Sequence, residues 1–412
     1  MTNDFLRHAR KTYTVANAAT LDWMLSRPSL AGGFLNTKQN SLTLKEYDAS
    51  DGPRGPDFLY GWIQGRGLEA LVSHAAFFQP RQPNLAARLD VAGGTLYAAL
   101  KRLRQPNGHA YFCYDRGMRP VVTDAAGSAQ PQDQPADIYT YSDAFVAKGL
   151  VAAAHRYAPA ELAEQLAYFD RVIAAIDHQR FQMDESQHLG DAALAAQPDD
   201  FGPQMILLGA AGMLSRRGLA AHATYADRFI THVLDHHLDV ATNLLRNVPG
   251  EDACNVGHGI EFVGFALDYL PEDADPGLVA TLERVLIASF TAGFVQPGIA
   301  LSVSISDGRP VSPYCPWWSL PETVRAASLA YRRTGNRRSL EIWHRSHDAF
   351  FSTYWRSEPP IAYQTMTRDG PVDFVPATPD LDPGYHTGLS LMAAIGAADA
   401  LLAAADTTQA SR

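Results

Sequence analysis

Leu301-Ser302-Val303-Ser304-Ile305-Ser306-Asp307-Gly308-Arg309-Pro310-Val311 alternates apolar and polar residues, turns at Asp-Gly and returns through Pro-Val. That is the pattern of a β-hairpin. The same plan recurs in Ile361-Ala362-Tyr363-Gln364-Thr365-Met366-Thr367-Arg368-Asp369-Gly370-Pro371-Val372, and in looser form from Gly108 to Val121. Asp307 and Asp369 are 62 residues apart, and Asp115 and Asp307 are 192 apart, close to three times that interval. A repeat of this length with two helices per unit is the mark of a stacked helical-hairpin array. A chain of 412 residues holds about six such units, enough to close into a ring. The expectation is a helix-dominated ring of six helix pairs, an (α/α)6 barrel over residues 1–412 as one domain with short hairpins crowding one end; the alternative is three unrelated Asp-Gly hairpins in a multi-domain helical protein.

The segments between the hairpins read as helices. Asn3 to Ser26 carries Phe5, Tyr13, Val15, Leu21 and Met24 before Pro28 stops it. An amphipathic helix begins near Phe58, and others cover Leu85–Arg104, Tyr141–Tyr157, Pro159–Ile176, Met205–Arg216 and Tyr225–Leu245. Glu261–Tyr269, Pro276–Phe294, Glu322–Arg333, Ser339–Tyr354 and Gly388–Ala404 complete the series. Ala125 to Ala136 reads as a surface loop.

Composition narrows the classes of function. Hydrophobic residues make up 46% and charged ones 19% of the chain, which provides a sizeable core. A net charge of −10 without a basic block excludes nucleic acid as the main partner. Cys113, Cys254 and Cys315 are odd in number and widely spaced, so neither a disulfide framework nor a zinc site is expected from them. Met1–Thr20 has no continuous apolar region and is not a signal peptide. No apolar run reaches about 18 residues, so no transmembrane helix is expected, and the cytoplasm is the default location.

Chemistry-bearing residues gather where loops enter helices. Asn255-Val256-Gly257-His258-Gly259-Ile260-Glu261 has Asn255 as an N-cap, with His258 and Glu261 three apart on one helix face. Arg66 follows Trp62 and Gln64 in an apolar stretch, and a partly buried Arg needs a partner. Trp317-Trp318 stands before Glu322 and suits either core packing or a platform for a sugar ring. Tyr385-His386 is another loop entering a helix. The sequence contains no phosphate-binding loop, no H-E-x-x-H and no G-x-S-x-G. Separated His residues with Arg, Glu and Trp point to cofactor-free acid–base chemistry.

With those residues in place, the sequence resembles the N-acylglucosamine 2-epimerase family, which includes mannose isomerases and cellobiose 2-epimerases. Gln64-Gly65-Arg66 is similar to the family's Q-x-R, and Gly257-His258-Gly259-Ile260-Glu261 to its G-H-x-x-E. Trp317-Trp318 with Glu322 is similar to its W-W-x-x-x-E, and Tyr385-His386 to its Y-H. The resemblance implies an (α/α)6 barrel acting without a cofactor on the open-chain form of a reducing sugar. It makes His258 and His386 the proton-transfer pair and Arg66 the oxyanion partner. Glu261 would orient His258, and Glu322 would bind sugar hydroxyls or assist ring opening. Trp318, with Trp317, Trp62 and Tyr385, would line the pocket. The expected partner is a small carbohydrate, with neither nucleic acid nor membrane, and a homodimer is the assembly to test.

The chain also departs from the family. The usual mid-chain N-x-x-M-H-x-x-E corresponds to Gly202-Pro203-Gln204-Met205-Ile206-Leu207-Leu208-Gly209, with Ile206 in place of the histidine and Gly209 in place of the glutamate. Thr387-Gly388 follows Tyr385-His386 where the family often has Pro-Arg. These changes put the ordinary substrates in question. Two other readings stay open: a glycoside hydrolase or lyase on the same barrel, using acids such as Asp57, Asp143, Glu261 and Glu322, and a sugar-binding protein without activity.

Overall fold

The computed structural model describes residues 2–124, 127–374 and 378–410, with side chains as far as Thr407. Twelve main helices follow one another in pairs. They are α1 (Thr2–Ser26), α2 (Gly61–Phe78), α3 (Pro83–Arg104), α4 (Tyr141–Tyr157), α5 (Leu162–Asp177) and α6 (Gly202–Arg216). Then come α7 (Tyr225–His236), α8 (Val256–Tyr269), α9 (Pro276–Gly293), α10 (Ser319–Thr334), α11 (Arg337–Ala349) and α12 (Ser390–Ala410). The even-numbered helices pack on one another in sequence order, α2 on α4 through to α10 on α12. The turn Tyr385–Leu389, which leads into α12, packs back on α2 and closes the ring. The odd-numbered helices lie outside it. The fold is the expected (α/α)6 barrel.

The two rings differ in sequence because they differ in surroundings. Every residue of α4 from Ser142 to Ala154 is buried, as is every residue of α10 from Ser319 to Ala330. A helix apolar on all sides belongs inside a larger core. The outer α7 buries only Tyr225, Ala226, Phe229, Ile230 and Val233, a single stripe at helical spacing. Local chemistry sets the helix ends. Thr140 and Asp143 form a capping box at the start of α4, Asn255 caps α8, and Gly335 ends α10 at φ +68°.

The strands are short and sit where inner helices begin. Leu59–Tyr60 leads into α2, Tyr139–Thr140 into α4, Ala253–Cys254 into α8 and Cys315–Pro316 into α10. The N-termini of the inner helices therefore share the end of the barrel that carries the strands. Two of the three expected hairpins form as such, Cys113–Tyr114 with Pro120–Thr123 and Thr365–Thr367 with Gly370–Pro371. In the third, Val303 makes a single bridge to Pro310, and Val303–Ser304 pairs with Ala253–Cys254. That strand is thus spent on joining two helix entries.

Three sequence expectations change. The helix expected from Tyr225 to Leu245 stops at His236, and Leu238–Asp239 pairs with Leu244–Leu245 as a hairpin. The turn sets Asn243 at φ +58°, which Asn tolerates better than most residues. Within the expected loop 125–136, Ala129–Pro131 pairs with Pro120–Thr123, while Ala125 and Ala126 lie outside the described residues. The segment Tyr385–Thr407 is long and apolar enough to cross a membrane by composition alone. In the barrel it is an inner helix, packed on α1 and α10.

Candidate active site

A cavity of about 300 Å³ opens at the strand-bearing end of the barrel. Arg66 from α2, Ile206 from α6, His258 and Glu261 from α8, Trp317 and Trp318 at the entry to α10, and His386 before α12 all line it. Five regions far apart in sequence thus meet because each lies at or near the start of an inner helix.

His386 is held from behind. Asp382 accepts hydrogen bonds from the backbone N–H groups of Tyr385 (2.8 Å), His386 (3.3 Å) and Thr387 (2.9 Å), which fixes the start of the turn. The imidazole Nδ1–H donates to Glu322 Oε1 at 3.0 Å. The other oxygen of Glu322 lies 3.2 Å from Arg325. With Nδ1 acting as donor, Nε2 of the neutral ring carries the lone pair. Burial lowers the pKa of His386 below its ordinary value, although the Glu322 hydrogen bond opposes the shift.

His258 is set the other way round. Asn247 Oδ1 accepts the backbone N–H of Asn255 at 2.7 Å, which fixes the orientation of the amide. Its Nδ2 then donates to His258 Nδ1 at 3.1 Å. A neutral imidazole whose Nδ1 accepts carries its proton on Nε2. Burial lowers the His258 pKa as well, and His386 adds to the shift. The indole centroid of Trp318 lies 5.6 Å from each imidazole. Gly257 makes room for it, since a Cβ there would come within 2.8 Å of the indole.

Arg66 makes no ion pair among the described residues, and its Nε is buried without a hydrogen-bond partner. Its guanidinium lies over three aromatic rings, Phe145 at 4.1 Å, Trp62 at 5.3 Å and Tyr385 at 5.5 Å. Burial lowers its pKa. A cation held by ring faces alone keeps its N–H donors for something in the cavity. Trp62 is itself anchored, its Nε1 donating to Glu185 at 2.5 Å.

Glu261 does not touch His258 in the expected way. Asn247 is the hydrogen-bond partner of His258, and Glu261 Oε1 lies 3.7 Å from His386 Nδ1. Burial, then the nearby Glu322, pushes the Glu261 pKa up to about 8. Glu261, Glu322 and His386 offer ligand atoms within 4.8 Å of one another. Arg66, Arg325 and Lys148 already place positive charge beside Glu261, so a proton shared in this cluster is a better match than a dication.

Two further expectations shift. Glu322 is fully buried behind His386 and is not part of the cavity wall. Tyr385 also stays off the wall. Its ring lies beneath Arg66, and its hydroxyl accepts from Lys148 Nζ at 2.6 Å. Asn247, Asp382 and Glu185 went unread in the sequence. Asp382-Pro383-Gly384 ahead of a helical turn is a capping signal for Asp382. Asn247 and Glu185 carry no such mark.

No family model matches the sequence, and no curated protein matches it. Solved structures do. A sugar epimerase from a ruminal bacterium superposes with a TM-score of 0.70 at 16% identity, over 96% of this chain and 99% of the other. The cellobiose 2-epimerase of Spirochaeta thermophila DSM 6192 gives 0.71 at 13% identity, over 97% and 98%. A D-mannose isomerase gives 0.70 at 12% identity, over 94% and 97%. The likeness runs end to end and defines the fold.

Proposed function

We propose that this protein is a sugar isomerase or 2-epimerase, a divergent relative of the N-acylglucosamine 2-epimerases, with residues 1–412 working as one barrel. The observation that carries the proposal is the opposed setting of two histidines on one cavity, His386 with a free Nε2 lone pair and His258 with Nε2–H.

His386 Nε2 takes the proton from C2 of an open-chain aldose. The C–H electron pair forms the C1–C2 double bond of an enediolate, and negative charge moves onto O1. Arg66 meets that charge with donors that have no other partner. His258 supplies a proton from its Nε2. Delivered to C2 on the opposite face, a proton gives the epimer. Delivered to C1, with the O2 hydroxyl proton moving to O1, it gives the ketose. No electrons are gained or lost, so acid–base groups suffice. Trp317 and Trp318 offer flat apolar faces to the sugar, and Glu322 sets the His386 ring rather than contacting substrate. The substrate would be a small carbohydrate.

The hydrolase reading finds less support. Glycosidases place two carboxyl groups across the scissile bond, about 5–9.5 Å apart. Glu261 and Glu322 lie together against one imidazole. Asp143 is occupied by Ala110 N–H, Thr140 N–H and the Tyr168 hydroxyl, and Asp380 by Thr37 and Lys38.

Incubation with candidate aldoses in D2O, read by NMR at C2, tests the proposal. Deuterium should enter C2, and His386→Ala and His258→Ala should each stop it. Cleavage of a glycoside without exchange into any free aldose would replace this reading with the hydrolase. Binding without turnover would replace it with a sugar-binding protein.

A further inference from the structure

A second cluster lies one layer behind His258. His232 is near the end of α7, His237 is the residue that caps it, and Asp199 is in the loop entering α6. One ligand atom from each lies within 4.8 Å of the others. His237 is almost completely buried, at 1% exposure. Its Nδ1 donates to the backbone carbonyl of Arg246 at 2.9 Å, and its buried Nε2 has no hydrogen-bond partner among the described residues. The buried Nε2 of His232 has none among them either. An unmet buried donor or acceptor is costly, so two in adjacent rings beside a carboxylate is an unfavourable arrangement unless something joins them. A backbone carbonyl on one ring nitrogen, with the other left free, is how a protein fixes the tautomer of a metal-binding histidine.

We propose that Asp199, His232 and His237 bind a divalent transition-metal ion of the Zn2+ class. Two imidazoles and a carboxylate favour such an ion over Mg2+ or Ca2+. Zinc bonds of about 2.0–2.1 Å bring ligand atoms to roughly 3.3 Å from one another. Asp199 is exposed and His232 half-exposed, so both are free to close onto the fixed His237. A fourth position is left for water. The ion would tie the loop before α6 to the end of α7. Phe201, two residues after Asp199, packs edge-on against His237 (5.3 Å) and His258 (6.5 Å). The metal therefore holds the wall on which His258 rests and takes no part in proton transfer.

The test uses the full-length protein, stripped with chelator and titrated with Zn2+ by calorimetry and with Co2+ by visible absorption. One equivalent should bind, with the d–d bands of a four- or five-coordinate site. Saturating Zn2+ should raise Tm by a few degrees. His232→Ala and Asp199→Asn, both at positions with exposed surface, should abolish binding while leaving the metal-free Tm within about 1 °C of the parent, as surface changes usually do. Glu322→Gln should leave the stoichiometry at one, because it lies in the other His–carboxylate cluster. No binding of either ion would overturn the site. So would binding that survives in His232→Ala and is lost in Glu322→Gln. These outcomes are separate from the deuterium-exchange result.

Discussion

The two ends of the barrel use the same kinds of residue in opposite ways. At the rear, a cavity of about 490 Å³ is lined by Glu69, Arg216, Asp268, Arg325 and Arg332 among others. Here the charges are matched within the protein: Arg216 with Asp268 at 2.5 Å, Arg325 with Glu322 at 3.2 Å, and Lys148 with Glu69 at 3.4 Å. At the mouth, Arg66 has only ring faces, and His258 and His386 each have one nitrogen engaged. Volume does not separate an active site from a structural void, since the rear cavity is the larger. What separates them is whether buried charges are paired within the fold or left for a ligand.

The sharpest way to break this comparison is at the base. His386→Ala should lower the C2 exchange rate by about 10²–10⁴-fold, the range of a positioned proton-transfer group. A variant that retains half the parent rate would remove the mouth from consideration. Next comes a paired substitution across the two ends. Lys148→Met leaves Glu69 buried without its cation, and breaking such a pair costs about 3–5 kcal/mol of stability. Arg66→Met strands no partner, so chemical denaturation should show equal or greater stability while exchange falls by roughly 10²–10³. Equal destabilisation by both substitutions would erase the distinction.

Glu261 gives a pH-dependent test. Its folded pKa of about 8 lies above the ordinary glutamate value of 4.5. The folded protein therefore binds the proton more tightly than the unfolded chain does, and the stability penalty for ionising it is absent at low pH and grows as pH rises towards about 8. In Glu261→Gln that penalty is gone. The Tm of the variant relative to the parent should rise between pH 5 and pH 9, and a difference independent of pH would show that Glu261 ionises normally. The smallest expected effect is at Gly209. A Cβ there would meet the Phe265 ring at 2.9–3.1 Å, so Gly209→Ala should cost about 1–3 kcal/mol and be relieved by Phe265→Leu. It would leave exchange untouched, because Gly209 lines the rear cavity.

Gly209 also shows why the departure from the family's mid-chain motif divides in two. Ile206 lines the mouth, where it makes that wall apolar. Gly209 faces the other way, where the Phe265 ring takes the space a side chain would need. The sequence displayed both replacements side by side, with no sign that they serve opposite ends of the molecule.

The helical elements were legible because burial imposes period on sequence. The Asn255 cap and the Tyr141–Tyr157 helix stand where the residues place them. The apolar pattern after Tyr225 overruns the helix because Leu244–Leu245 is as apolar as a helix face, and the turn at Asn243 lies between the hairpin strands Leu238–Asp239 and Leu244–Leu245. The interval between hairpins led to the ring even though the 301–311 segment spends its strand on a neighbour. Within the site, His258, His386 and Arg66 could be picked out by residue type and by position at helix entries. Which nitrogen of each ring is free could not. That is decided by Asn247, eleven residues from His258, and by Glu322, sixty-four residues from His386. The sequence by itself determined the helical period, the caps and a short list of reactive side chains, because those depend on near neighbours. Tertiary structure alone decided protonation and pairing, because hydrogen bonds and desolvation depend on what the closed ring brings within about 3 Å.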